Sequence, residues 1–459
     1  MSHELMQDTV REHLLLHFTN HTAAYHPESE VLVLERGEGP YVFDTRGRRY
    51  IDALSSLFCA QLGYSYGEEM TSAIAAQMQT LPFNTNWATA HPPAIQLADA
   101  LADRFPGHLN HFFFTGGGSD SVEAMWKIAR EYFVAIGEPQ RLKAIARRNA
   151  YHGVTLGALS FTGVPGFKEI FGPPAIDVTH VSNTNAFRAP DGDDPAAFCA
   201  RLLAEIRETI ERIGRDEVAV IIAEPIQNAG GCLVPPPGYW AGLREIADEV
   251  GALLVADEVI CGFGRLGEWL GSMREDVVPD MVTTAKGLTS AYVPMGAVGI
   301  SDRIADTIHT AGNPLRHGIT FGGHPVSAAV ALRNLEIFER DGILENVRAN
   351  EAHLEARLKE LRSLPIVGDT RGRGYFWAME LVRDADNSTF DKPERDRMLR
   401  GYLPKRLLEA GLIARCDDRG DSVLQIAPPL IADAALLDEI VDRLGEVLAD
   451  TGAYMGVGV

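Results

Sequence analysis

Residues 252–265 read ALLVADEVICGFGR and residues 280–288 read DMVTTAKGL. In the first stretch, Ala252–Ala256 is an apolar run with no polar break, the pattern of a strand buried on both faces, and Asp257 and Glu258 stand at its end. In an open α/β sheet, ligands sit beyond the carboxyl ends of the strands, so acids at that place face a site. In the second stretch, Met281–Ala285 is an apolar-to-small run that ends in Lys286. Its neighbours Thr283, Thr284, Ala285 and Gly287 are small and uncharged. Burial disfavours the ammonium form, and a lysine with a lowered pKa is a usable amine nucleophile. A lysine and an acid at two strand ends are the minimum set for pyridoxal phosphate chemistry. The amine forms a Schiff base, and the carboxylate keeps the pyridine nitrogen protonated so that the ring accepts electrons. Alone, the two residues also admit plainer parts, a turn-forming aspartate and a solvated lysine.

Outward from this pair, strand and helix alternate as in a mostly parallel sheet. Val218–Ala223 reads as a buried strand ending at Glu224, and Tyr239–Val250 as the helix that follows it. Upstream, the strand-like HFFF (111–114) runs into TGGGSD (115–120) and then a helix with Val122, Met125, Trp126, Ala129 and Phe133 on one face. Strand, glycine turn and helix start form a seat for a phosphate on the helix N-terminal amides, with Gly118 allowing close approach and Ser119 adding a hydroxyl. The turn is neither a Walker loop nor a dinucleotide fingerprint, since it contains no GK[ST] and no GxGxxG. Arg141–Ala146 and Met295–Ile300 suit further strands, and Leu97–Phe105 and Phe198–Ile213 helices. Helical periodicity runs from Val326 to about Leu361. Near the N-terminus, Thr9-x-x-Glu12 has the spacing of a capping box, and Val31–Arg36, Tyr41–Asp44 and Arg49–Asp52 alternate like strands. The tail TGAYMGVGV (451–459) reads as frayed.

DEVICGFGR (257–265) with TTAKGL (283–288) resembles the class III, or ω-type, aminotransferases, and the likeness extends from about Tyr41 to Pro429. The closest resemblance in motif is to amine:pyruvate and ω-amino acid:pyruvate transaminases. The resemblance implies pyridoxal phosphate fold type I, an α/β architecture. Its large domain holds a mostly parallel seven-stranded sheet flanked by helices, and a smaller α+β domain is built from both termini. On this basis residues 1–70 and 331–459 form the small domain and 71–330 the cofactor-binding domain. Family positions also suggest roles. Lys286 and Asp257 are the catalytic pair. In the family the phosphate turn commonly reads Ser-Gly-Ser-Glu, and here Gly117, Gly118, Ser119 and Asp120 fill it, so Gly117 cannot supply the usual first hydroxyl. In NAYHG (149–153), Tyr151 falls where an aromatic stacks on the cofactor ring, and His152 is either a cofactor neighbour or a structural histidine. In EPIQNAGG (224–231), Glu224 lies near the cofactor, and Gln227 lies near its ring hydroxyl or simply shapes the turn. In HGITFGGHP (317–325), Thr320 reaches the phosphate of the other subunit, which implies a homodimer with shared active sites, or a tetramer made from it. For the substrate, Phe58 is either an aromatic pocket wall or core, and Trp87 has the same two readings. Arg415 falls where amine:pyruvate members carry an arginine whose planar fork binds a carboxylate and swings out for an uncharged amine; otherwise it is a surface arginine.

The expected activity is a two-half-reaction, ping-pong transamination. A primary amine or ω-amino acid donates its amino group through a Lys286 internal aldimine, and a keto acid, pyruvate above all, leaves as alanine. Within the family, 2-oxoglutarate as acceptor and diamine, 4-aminobutyrate or taurine donors are alternatives. Outside it, a decarboxylase or racemase would share the lysine–aspartate pair. The bulk properties are ordinary for a soluble globular protein: 459 residues, 46% hydrophobic and 23% charged. A net charge of −21 argues against a nucleic-acid partner. The five cysteines are scattered, without a CxxC pair, so no zinc site or disulfide framework is expected. No apolar stretch has membrane-spanning length, and MSHELMQDTVREHLLLHF (1–18) lacks a signal-peptide layout, which points to the cytoplasm.

Overall fold

The computed structural model describes residues 1–26 and 29–458. The long apolar runs of the sequence become the central sheet. Its strands are His111–Thr115 (β1), Lys143–Arg147 (β2), Asp177–Val181 (β3), Val218–Ala223 (β4), Leu253–Asp257 (β5), Met281–Thr284 (β6) and Gly296–Ile300 (β7). Their order across the sheet is β1-β7-β6-β5-β4-β2-β3. β7 runs antiparallel to both its neighbours, and the remaining pairs are parallel. Every residue of β4, β5, β6 and β7 is buried, because helices cover both faces and leave no position for a polar alternation. Each Val, Leu or Ile buried there contributes roughly 1.5–3 kcal/mol relative to exposure. The Asp280 carboxylate sets the register of β6 on β5: Oδ2 accepts from the Leu254 amide and from Arg244, both at 2.8 Å, and Oδ1 accepts from Arg303 at 2.7 Å.

The two ends of the chain meet in smaller sheets. Leu34–Glu38, Tyr41–Asp44 and Arg49–Asp52 form an antiparallel meander, closed by Leu412–Ile413, which runs parallel to the third strand with Ile51 opposite Leu412. Val367–Arg373, Phe376–Leu381, Val423–Ile426 and Arg415–Asp417 form a second, antiparallel sheet. Arg265, just beyond β5, joins these parts to the centre. It is fully buried and donates to the carbonyls of Tyr375 (3.2 Å) and Pro428 (2.5 Å) and to Ser55 Oγ (3.1 Å). No helix of the described residues is long and apolar enough to cross a membrane.

Five local expectations shift. The N-terminal helix is His3–His13, capped by Ser2, so Thr9 lies inside it and bonds back to the Leu5 carbonyl instead of capping. The first strand begins at Leu34 rather than Val31, with an irregularity between Leu34 and Arg36. The helix expected over Leu97–Phe105 is Pro92–Ala102; Pro92 occupies its first turn, where the missing N–H has no partner to lose. The periodicity from Val326 to Leu361 is two helices, Pro325–Arg340 and Ile343–Glu360, interrupted where Gly342 takes a left-handed conformation. The tail is ordered through most of its length: helix Ala434–Met455 includes it, Tyr454 stacks on Tyr402 at 4.0 Å between centroids, and Val457 is buried. Val459 lies outside the described residues.

Candidate active site

A cavity of about 220 Å³ opens at the carboxyl ends of β1, β4, β5 and β6. Gly118, Ser119, Tyr151, His152, Glu224, Asp257 and Lys286 all border it, so residues up to 168 positions apart in sequence converge on one site. Each is placed by a short, identifiable device.

Lys286 stands beyond β6 with one residue between and holds a left-handed backbone with φ of 45°, a conformation that costs a non-glycine residue energy and persists only where its surroundings enforce it. The enforcement comes from Asn334 on helix Pro325–Arg340. Its Nδ2 donates to the carbonyls of Gly287 (2.9 Å) and Leu288 (3.2 Å), and its Oδ1 accepts from Ser290 (2.6 Å). Burial lowers the Lys286 pKa, against a smaller opposing pull from Cys59, Asp257 and Glu224.

Asp257 ends β5 and is buried. One oxygen accepts from the Val259 amide at 3.1 Å, and the other lies 2.7 Å from His152 Nδ1. His152 is buried as well, with Nε2 free of any hydrogen bond to a described residue. Glu224 follows β4 and caps two turns at once: Oε1 accepts from the Tyr151 amide at 3.1 Å and Oε2 from the Asn228 amide at 2.8 Å. Its pKa is raised, with desolvation the main cause.

Glu258, next to Asp257, turns away from the cavity. Its two oxygens accept from the amides of Gly271 (2.8 Å) and Ser272 (2.7 Å), and burial pushes its carboxyl up to about 7. A glutamine there offers a single acceptor and turns an NH₂ toward a backbone N–H. Glu258→Gln is therefore expected to lower stability by about 1–3 kcal/mol, read as a fall in denaturation midpoint with the cofactor site intact.

The strand, glycine turn and helix start form as the sequence suggests. Helix Gly118–Ala135 starts after Gly117 with no side-chain cap, leaving its first amides without intrahelical partners, and carries Asp120 in its first turn. Ser119 Oγ accepts from the Val154 amide at 3.2 Å, so the hydroxyl proton is available to an anion. Gly153, with φ of 110°, permits this approach: a Cβ there would fall 2.5 Å from Ser119 Oγ. At Gly117 a Cβ would meet nothing within 4 Å, and its extended backbone suits any residue. Gly117→Ser should thus supply the missing hydroxyl without strain and slow cofactor loss, measured as retention of bound cofactor through dialysis.

The other expected residues lie elsewhere. Gln227 is fully buried in the turn after β4, where its Nε2 donates to the carbonyls of Arg148 and Ala229, both at 3.1 Å. Phe58 is 1% exposed and packs edge-on against Phe376. Leu57, 50% exposed, borders the cavity in its place. Ser55, Ser56 and Phe58 all have positive φ, and this kink decides which of the two side chains points in. Arg415 does not border the cavity; it is half-buried with its guanidinium 5.9 Å from the Phe58 ring centre, and its charge acts on Lys286 and Tyr151, which do. Trp87 is 60% exposed and lines a different, larger cavity of about 1050 Å³, together with residues 315–319 of the chain that leads to Thr320. Thr320 is exposed and does not border the Lys286 cavity within one protomer. Val259, Ile260 and Cys261 also border the site. Their signal was their place immediately after the strand-end acids.

These features fit pyridoxal phosphate. The cavity offers an amine without a hydrogen-bonding partner, a buried carboxylate held by a histidine, and an uncapped helix start beside a serine. Residues 23–448 match the family described as aminotransferase class-III. A relative from Mycobacterium tuberculosis, described as a probable aminotransferase, is 49% identical over 97% of this chain and 95% of its own. A putrescine–pyruvate aminotransferase of Pseudomonas aeruginosa is 38% identical over 96% of this chain and 95% of its own. The solved structure of an ω-transaminase from Pseudomonas jessenii, in complex with PMP, superposes with a TM-score of 0.93 at 34% identity, covering 99% of this chain and all of that one.

Proposed function

This chain belongs to the class III aminotransferases, enzymes that use pyridoxal phosphate, and from that premise we propose that it transfers the amino group of a primary amine or ω-amino acid to pyruvate, releasing alanine. The observation that carries the acceptor reading is Arg415, a half-buried cation whose charge acts on Lys286 and which has no hydrogen-bonded carboxylate among the described residues. The relative named for putrescine and pyruvate supports the same choice.

The cofactor, when bound, supplies an aldehyde that takes up the substrate nitrogen and a ring that draws electron density from the adjoining carbon. The chain does the rest. The Gly118 and Ser119 amides and the Ser119 hydroxyl would hold the phosphate, and Tyr151 would cover a ring face. Asp257, oriented by His152, would hold a proton at the ring nitrogen. Lys286 Nζ would take the proton from the substrate carbon and return it two bonds away, to the carbon on the other side of the substrate nitrogen. Arg415 would bind the keto acid carboxylate. A panel of amines supplied with pyruvate or with 2-oxoglutarate tests this reading. Alanine formed from pyruvate is the expected product; glutamate formed from 2-oxoglutarate alone would overturn the acceptor assignment.

The reading includes a homodimer, or a tetramer built on it, in which Thr320 serves the site of the neighbouring copy. Its support is the exposed apolar surface around the larger cavity, with Trp87, Ile95 and Phe321 more than half exposed. It also includes a division near residues 70 and 330, supported by the pairing of Ile51 with Leu412. A cytoplasmic location draws support from five cysteines without a disulfide.

A further inference from the structure

Arg415 has a carboxylate for a neighbour, yet another residue holds it. Arg415, Asp417 and Arg419 lie on one edge strand, Arg415–Asp417, and the turn that follows. Asp417 is buried, and Arg419 grips both of its oxygens. Arg419 Nε lies 2.8 Å from Oδ1 and 3.1 Å from Oδ2, Nη2 lies 2.5 Å from Oδ2, and the Arg419 amide donates to Oδ1 at 3.0 Å. Arg415 Nε comes only within 3.9 Å of Oδ2, beyond hydrogen-bond reach. Its other contact is the face of Phe58. Arg419 is itself almost fully buried, with its guanidinium 5.7 Å from the Tyr151 ring centre, so its position is set by packing on both sides.

We propose that Arg419 and Asp417 are positioning residues that keep Arg415 an unneutralised, movable cation. A carboxylate accepts one bidentate fork well, and Arg419 supplies it. Arg415 therefore has no hydrogen-bonded ion pair to break, only the loose 3.9 Å approach to Asp417, before it takes the carboxylate of a keto acid, and no strong partner to leave when an uncharged amine enters. The two like charges on one edge also repel, which disfavours Arg415 moving onto Asp417. This inference rests on the reading of Arg415 as the acceptor-binding residue.

Half-reactions of the holoenzyme separate the two ideas, with benzylamine reporting on the amine half and pyruvate on the keto acid half. Arg415→Ala should raise the half-saturating pyruvate concentration about tenfold or more, as expected for a lost charge-assisted pair. No rise would remove the acceptor reading and this inference with it. Arg419→Ala should raise the pyruvate requirement by about tenfold, since the freed Asp417 captures Arg415, and the loss should fall several times more heavily on pyruvate than on benzylamine. Adding Asp417→Asn to Arg419→Ala removes the competing charge and should restore most of the pyruvate affinity. Equal losses in both halves, or no recovery in the double variant, would give Arg419 a structural role only and overturn the inference while the Arg415 reading stands. Arg419→Met keeps the stem packed and lacks the fork; it takes the place of Arg419→Ala, with the same outcomes, if the alanine variant does not fold.

Discussion

Lys286→Ala is expected to lower turnover on the order of 10⁴-fold with every amine donor, the upper end of what a positioned general acid–base supplies. It should also change the visible absorbance of the bound cofactor. Among the described residues the amine is the cavity's one lysine, it stands beyond β6 with one residue between, and Asn334 holds its loop in a conformation that a free chain would leave. The alanine variant keeps that backbone and loses the amine with its three-methylene stem at the border of an existing cavity, so its fold should survive. Burial lowers the lysine pKa below its usual 10.5, which favours the neutral amine. Capture of pyridoxal phosphate by the wild-type apoenzyme should therefore accelerate as pH rises through a value below 10.5 and then level off. Retained turnover in Lys286→Ala, or capture that still climbs at the ordinary lysine pKa, would remove this residue from the chemistry.

The parts of the site that strands deliver were legible in the sequence. A strand buried on both faces is a continuous apolar run, and whatever follows it must lie at the sheet's carboxyl edge. That logic located Asp257, Glu224 and Lys286 without a structure, and the glycine turn at 116–118 located the phosphate seat. It could not tell Asp257 from Glu258. The two adjacent acids point opposite ways, one toward His152 and the other onto the amides of Gly271 and Ser272, and the choice depends on a loop that reads as ordinary sequence.

Positions set by irregular backbone were not legible. Leu57 and Phe58 are neighbours, and the consecutive positive φ angles at Ser55 and Ser56, with a third at Phe58, turn the leucine toward the cavity and the phenylalanine into the core. None of these three is glycine, so the usual signal for such a conformation is missing. The grip of Arg419 on Asp417 was equally hidden, because RCDDRG (415–420) reads as a charged surface turn until burial is known. The two-helix break at Gly342 did have a signal, an Asp-Gly pair inside a long periodic run.

Asp257→Asn should slow proton transfer by about 10²–10³-fold, the scale seen when a single preorganised electrostatic contact to developing charge is removed. The substitution is close to neutral for the fold. The asparagine carbonyl can accept from the Val259 amide, and its NH₂ can donate to His152 Nδ1 once the imidazole proton sits on Nε2, so the bonds at 3.1 and 2.7 Å both have candidates in the variant. What disappears is the negative charge in a buried place, where its effect on a neighbouring proton is stronger than in water. The asparagine variant should bind cofactor and melt near the wild-type temperature, yet show a large substrate-deuterium isotope effect, because proton removal at the donor carbon becomes the slow step. If Asp257→Asn instead loses cofactor while keeping its single-turnover rate per bound cofactor, the carboxylate anchors the ring without activating it, and the charge argument fails. His152→Phe offers a graded version of the same test. It leaves the carboxylate in place but removes the group that orients it, so its rate should fall between those of the wild type and Asp257→Asn.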